Sequence, residues 1–266
     1  EEVGKSISDL YAAVGDTKFA REASKVVAEF ATGAHEPLEV MTNLAGGLNE
    51  KFGVTAKELP DVLATVVSLG NKGGVSVADL ADKIGIIGAN ARVAGLDGAK
   101  GFGTMVSWLN IADNAPGTLK KGIAGVSGII DSFATKTIDK PLKTMGIDVP
   151  AMRKAGADFN QIIGKVFEKT GGKEGALAKI FSGDQLKVIS EMGRTYAQAF
   201  DETEGNVKTK TKAALEAFEN ALQEAGKSQL DAKAIQEEAA REMETPEKKI
   251  ATAMEKLAQT FTDEKF

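Results

Sequence analysis

Cysteine is absent from this 266-residue chain, so it has neither a disulfide framework nor a thiolate metal site. Histidine occurs once, at His35, which removes the usual pairings for nucleophilic or metal-assisted catalysis: no HExxH or CxxC motif exists, and no Ser/His/Asp or Cys/His set can be assembled around it. His35 stands before Glu36-Pro37 and reads as a surface or helix-start residue. Aromatic residues make up 6% of the chain against 39 alanines, so the core is expected to be thin and built from helices in close approach. No long apolar run is present either. The least charged stretch, Gly101 to Leu119, still contains Asn110, Asp113 and Asn114, and Arg92 ends the apolar stretch from Ile84 to Ala91. A membrane-spanning helix needs roughly 20 mostly apolar residues. The acidic start, Glu1-Glu2, is unlike a secretory signal, and a first residue other than Met reads as a fragment or a processed product.

Charge of one sign is also lacking over most of the length. Residues 1–200 hold as many acidic as basic side chains, and the whole net charge of −5 comes from residues 201–266. There is no basic excess of the kind that drives tight nucleic-acid binding. Of the 29 glycines, 27 precede residue 201. The two shifts together divide the chain into a Gly/Ala-rich region, 1–200, and a charged region, 201–266.

What is present is helical periodicity. Leu10, Val14, Phe19, Ala23, Val26, Val27 and Phe30 mark one or two opening helices; Leu38, Met41, Leu44, Ala45 and Leu48 the next. Two similar starts follow, Gly53-Val54-Thr55-Ala56-Lys57-Glu58-Leu59 and Gly74-Val75-Ser76-Val77-Ala78-Asp79-Leu80. Each sets a hydroxyl three positions before a carboxylate, the spacing of a capping box, with Pro60 expected to displace the first helix start by a few residues. Ser182 and Gln185 form a third such pair. Gly70 and Gly95 sit where helix C-caps are expected, and Asp97 caps a segment through Ile111. Asp148-Val149-Pro150 opens a single helix carrying Met152, Phe159, Ile162, Ile163, Val166 and Phe167, which Gly171-Gly172 ends. Pro116 starts another, in which Gly122, Gly125 and Gly128 argue for close helix packing, a mobile segment, or fraying. Trp108 reads as a core anchor. No alternating β-branched run appears. The fold class is therefore all-α: consecutive helix-turn-helix units followed by an amphipathic, coiled-coil-like C-terminal segment.

In that segment Leu215, Phe218 and Leu222, and then Ile250, Met254, Leu257 and Phe261, recur at spacings of three and four between Lys/Glu-rich faces. They form an a/d-like stripe interrupted by Gly226 and Pro246. The stripe is either an oligomer seam between chains or an amphipathic face packed on its own chain. Two glycine-rich stretches fail as phosphate loops. Gly98 to Gly103 has its glycines in the wrong order and follows a helix, and Gly117 to Gly122 lacks the Gly-Lys-Ser/Thr ending. No catalytic, cofactor-binding or metal-binding residue is selected, and the chain is expected not to be an enzyme.

The order Leu63-Ala-Thr-Val-Val-Ser-Leu-Gly70, Gly74-Val-Ser-Val-Ala-Asp-Leu80, Gly88-Ala-Asn-Ala-Arg-Val-Ala-Gly-Leu96 and Gly101-Phe-Gly-Thr-Met-Val106, with Phe159 to Phe167 and Ile180-Phe181-Ser182-Gly183, resembles the core region of bacteriophage tail tape measure proteins over roughly residues 40–200. Ser182 between Phe181 and Gly183 departs from the usual order. The resemblance implies a structural role: setting tail length, occupying the lumen of the tail tube and assisting genome ejection into the host. It implies self-association as a trimer or hexamer, partners among tail tube, tail-tip or baseplate proteins and tail assembly chaperones, and transient contact with the host inner membrane and phage DNA. It places the protein in the virion, and in the host cytoplasm during assembly. It brings no cofactor and no catalytic residue. An alternative reading is a membrane-active helical pore-forming module, drawn from the Gly/Ala-rich residues 84–133.

Overall fold

The computed structural model describes residues 8–12, 14–73, 76–113, 119–226 and 232–242. Among these residues every regular element is a helix, so the chain is all-α. In order they are α1 (Thr17–Gly33), α2 (Leu38–Gly47), a π-helical turn (Leu48–Phe52), α3 (Leu59–Gly73), α4 (Val77–Ala94), α5 (Gly98–Asp113), α6 (Leu119–Ala134), α7 (Asp139–Thr144), α8 (Val149–Lys154), α9 (Phe159–Thr170), α10 (Glu174–Leu177), α11 (Gly183–Glu202), α12 (Val207–Ala225) and α13 (Ala232–Glu242).

Two compact units form, residues 1–88 with 228–266, and residues 89–227. The boundary between them falls within α4, and the composition shift at residue 201 lies inside the second unit, in the last turn of α11. In the first unit, the Asp16 carboxylate caps α1 by accepting from the amides of Lys18 and Phe19. The stripe Phe19, Ala23, Val27 and Phe30 is buried. α13 packs on α1 and α3. At Gly33 the α13 backbone approaches so closely that a Cβ would collide with the Ile235 carbonyl. Beside it, Gln236 Nε2 donates to Glu29 Oε2 at 2.8 Å.

The second unit is built on α11, which packs against α6, α12 and α5. Gly122, Gly125 and Gly128 are the reason these helices can touch. A Cβ at Gly125 would lie 2.5 Å from the Asp184 carbonyl, one at Gly128 2.8 Å from Gln185 Nε2, and one at Gly122 3.1 Å from the Ala112 methyl. Close packing is thus what this stripe does. Trp108, 1% exposed, anchors the unit as expected: it lies 5.0 Å from Phe159, which sits 5.0 Å from Phe133. Its indole N–H donates to Asn160 Oδ1 at 3.1 Å.

Several local expectations are corrected. Gly70 lies inside α3, which runs on to Gly73. The helix expected from Asp148 to Gly171 is two helices, because Gly156 adopts φ +87° and Asp158 restarts the chain with a full capping box, trading bonds with Gln161 in both directions. Ser182 makes no side-chain cap bond; Gln185 instead reaches from α11 to donate to the Ser132 hydroxyl on α6. At Ser76 the expected cap forms, the Asp79 amide donating to the Ser76 hydroxyl. At Thr55 the Glu58 carboxylate accepts from both the Thr55 amide and hydroxyl, and the α-helix begins only at Leu59, the displacement Pro60 was expected to cause.

Candidate interaction surfaces and the helix joints

One joint recurs at four of the helix ends. After α4, Gly95 (φ +93°) donates its amide to the Arg92 carbonyl and Leu96 donates to Ala91. After α7, Gly146 (φ +79°) and Ile147 do the same to Lys143 and Leu142; after α8, Gly156 and Ala157 to Arg153 and Met152. This is the Schellman pattern, in which a left-handed residue and its successor satisfy the last carbonyls of the helix. The successor is an apolar anchor at Leu96 (3% exposed) and Ile147 (1%), and an aspartate comes next, Asp97, Asp148 or Asp158. Asp148 and Asp158 cap the following helix by accepting from the amides of Ala151 and Gln161. His35 occupies the left-handed position of the same joint after α1, with φ +53°, its amide donating to Thr32 and that of Glu36 to Ala31. The single histidine is therefore on the surface, but at a helix end and not a helix start.

Of the seven seam residues, Ile250, Met254, Leu257 and Phe261 lie outside the described residues. The other three are on α12. Phe218 (1% exposed) meets the Phe167 ring edge-on at 5.0 Å, and Leu222 (5%) is buried beside it in the sequence stripe. Within this unit, Phe218 and Leu222 are covered by their own chain. Leu215 is half-buried, its side chain resting over Gly164, where a Cβ would come within 3.0 Å. It also lines an open groove of about 630 Å³ between α12 and Glu168 of α9, flanked by Lys208, Lys212, Glu216 and Glu219. Val207, 71% exposed, stands at one end of it. Lys212 pairs with Glu216 at 3.6 Å, so the charges along the groove are partly satisfied within α12. Phe167 also meets Tyr196, whose phenol is pushed above its ordinary pKa by burial, with the Glu168 charge acting in the same direction and a bond to Thr211 opposing it.

Other candidates resolve in structural terms. Gly98 to Gly103 form the first turns of α5 and not a loop. Gly117 lies outside the described residues. Among the described residues no group of three or more His, Asp or Glu is placed to hold a metal ion, and no helix is long and apolar enough to cross a membrane.

The sequence matches the family described as phage-related minor tail protein over residues 1–186. The chain belongs to that family. Membership makes it a structural protein of the phage tail and a component of the virion. No curated protein and no solved structure gives a match. For this minor tail protein the informative residue that sequence reasoning missed is Arg153. Its guanidinium donates to the Val93 and Ala94 carbonyls, both at 3.3 Å, and lies 5.9 Å from the Phe133 ring centroid. Its carbonyl partners are about 60 positions away, and no local pattern could have disclosed them.

Proposed function

We propose that this minor tail protein is the core part of a tail tape measure protein: it sets tail length, fills the lumen of the tail tube and assists genome ejection. The supporting observation is the family match, taken together with a chain of helices joined by short glycine-aspartate links over the same residues. A ruler needs serial, repeatable elements more than a single cavity, and its role requires no catalysis and no cofactor. Its partners in this reading are further copies of itself, as a trimer or hexamer, the tail tube and tail-tip or baseplate proteins, and assembly chaperones in the host cytoplasm, with transient contact with the inner membrane and DNA during ejection.

In-frame deletions and duplications in the phage gene encoding this chain test the reading, with tail length measured by electron microscopy. Tails should shorten or lengthen in proportion to the residues changed, by roughly 1.5 Å per helical residue. Tails of unchanged length would rule out the ruler role while leaving a tail-tip role open. The seam belongs to the same proposal: Leu257→Asp should convert an oligomer to monomers by light scattering, and unchanged mass would assign that stripe to packing within the chain.

A further inference from the structure

We propose that the open groove along α12 is one half of a two-fold interface, in which α12 of a second copy of this chain lies antiparallel against it. The first observation is how charge is laid along the helix. Its lysines, Lys208, Lys210 and Lys212, all fall in the N-terminal half, and its glutamates, Glu216, Glu219 and Glu224, all in the C-terminal half. No acidic residue occupies the first turn and no basic residue the last. This order runs against the helix dipole, which favours negative side chains at the N-terminus and positive ones at the C-terminus. Alone, α12 gains nothing from it. Against an antiparallel copy, each lysine-bearing half meets a glutamate-bearing half and the two dipoles oppose.

The second observation is which of these charges line the groove. Lys210 is turned to α11, its ammonium 5.6 Å from the centroid of the Phe200 ring. Lys208, Lys212, Glu216 and Glu219 are exposed along the groove. Lys212 is paired with Glu216 in its own helix, whereas among the described residues neither Lys208 nor Glu219 has an ion-pair partner.

The third observation is register. Lys208, Lys212, Leu215 and Glu219 recur at steps of four, three and four, so they form one stripe along the groove. Those steps read the same from either end. An antiparallel copy therefore sets Lys208 against Glu219 of the second copy and Lys212 against its Leu215, and the two-fold axis repeats both pairings in reverse. Of the three seam residues on α12, Leu215 alone is not closed over by its own chain, and the aliphatic stem of a facing lysine completes its cover. An unrelated partner would require no such palindrome. With so little apolar surface and exposed charges at both ends, the contact is weak and sensitive to salt. The pairing goes beyond the ruler reading and does not rest on it.

Sedimentation velocity of the full chain at low salt tests it. The mass of the parent protein should rise with concentration and fall back as salt is added. Lys208→Glu and Glu219→Lys each set like charges against one another at both ends of the interface, and each should raise the dissociation constant by roughly tenfold or more. An equimolar mixture of the two variants restores opposite charges at both ends and should associate like the parent. Both positions are exposed, and far-UV circular dichroism should show unchanged helicity. Lys208→Glu also relieves the clash with the helix dipole, so its thermal midpoint should not fall even as association weakens. A parent protein that stays monomeric up to about 1 mM would overturn the proposal. Unchanged association in both single variants would assign the groove to another segment or another protein and overturn it too. So would a mixture that associates no better than either variant alone.

Discussion

At the scale of single residues, the left-handed positions are the most directly testable. An L-residue there costs roughly 1–2 kcal/mol, which glycine avoids. His35 bears that cost at the end of α1, where the equivalent joints carry glycine. His35→Gly should therefore stabilise the protein by about 0.5–1 kcal/mol after the glycine's greater unfolded-state entropy, whereas Gly146→Ala, with open space around its Cβ position but φ +79°, should destabilise it by about 1–2 kcal/mol. Thermal unfolding followed by circular dichroism reads both. Gly125 fails for a different reason: its φ is ordinary but a methyl would meet the Asp184 carbonyl. Gly125→Ala gains about 1 kcal/mol in helix propensity and loses about 1–3 kcal/mol to overpacking, so the midpoint should fall. An unchanged or higher midpoint would mean that α6 and α11 can part without penalty.

Charge at the residue scale has a definite sign at Glu58. Its carboxyl is held below the ordinary value near 4.5, first by the Thr55 amide and then by the Thr55 hydroxyl, with burial opposing weakly. A depressed folded pKa contributes stability that is present above the unfolded value and is lost as pH falls through the folded one. Acid titration of stability should therefore be less steep below about pH 4.5 in Glu58→Gln than in the parent. Equal slopes would show that the carboxylate keeps no preference for the folded state.

At the scale of elements, what was legible in the sequence depended on whether the signal was local. Helix identity follows from periodicity, and the joint at Gly95 and the end at Gly171 were readable because a glycine follows the last apolar position. Gly156 was missed because Met152 and Phe159 are seven apart, so the apolar phase runs on through the break and reads as one helix. The Asp158/Gln161 box marked that break but lay inside an apparently continuous stripe. Asp158→Ala should cost about 1 kcal/mol, measured by denaturant midpoint, since it removes the carboxylate that accepts from the Gln161 amide. Conversely, Ser182/Gln185 had the right spacing and made no cap, because Ser132 on α6 offered Gln185 a tertiary partner. Spacing reveals a cap only where nothing distant competes for the side chain. Arg153 is the extreme instance, with every contact distant in sequence.

At the scale of the whole molecule, composition divided the chain at residue 201, while contacts group residues 201–227 with those from 89 onward. Composition reflects which faces meet water; it does not say which helix covers which. α12 is charged on its outer side, yet Phe218 closes over Phe167 on its inner one. The candidate seam was legible as an amphipathic stripe, but its first half already has a partner within the chain, which periodicity cannot distinguish from a partner in another chain. A molecule of many short helices, short of aromatic residues and joined through strained or glycine positions, should be only modestly stable. Calorimetry should place its unfolding well below about 90 °C, and a single sharp transition above that would contradict this reading of its packing.

Trp108 has one more consequence. It is the sole tryptophan, sealed from solvent beside Phe159, with its indole N–H committed to Asn160. The protein thus carries its own spectroscopic beacon: blue-shifted emission, resistant to collisional quenchers, that reddens when α5 leaves its bed. In purified protein, rearrangement around α5 can be followed in real time by light alone, without a label.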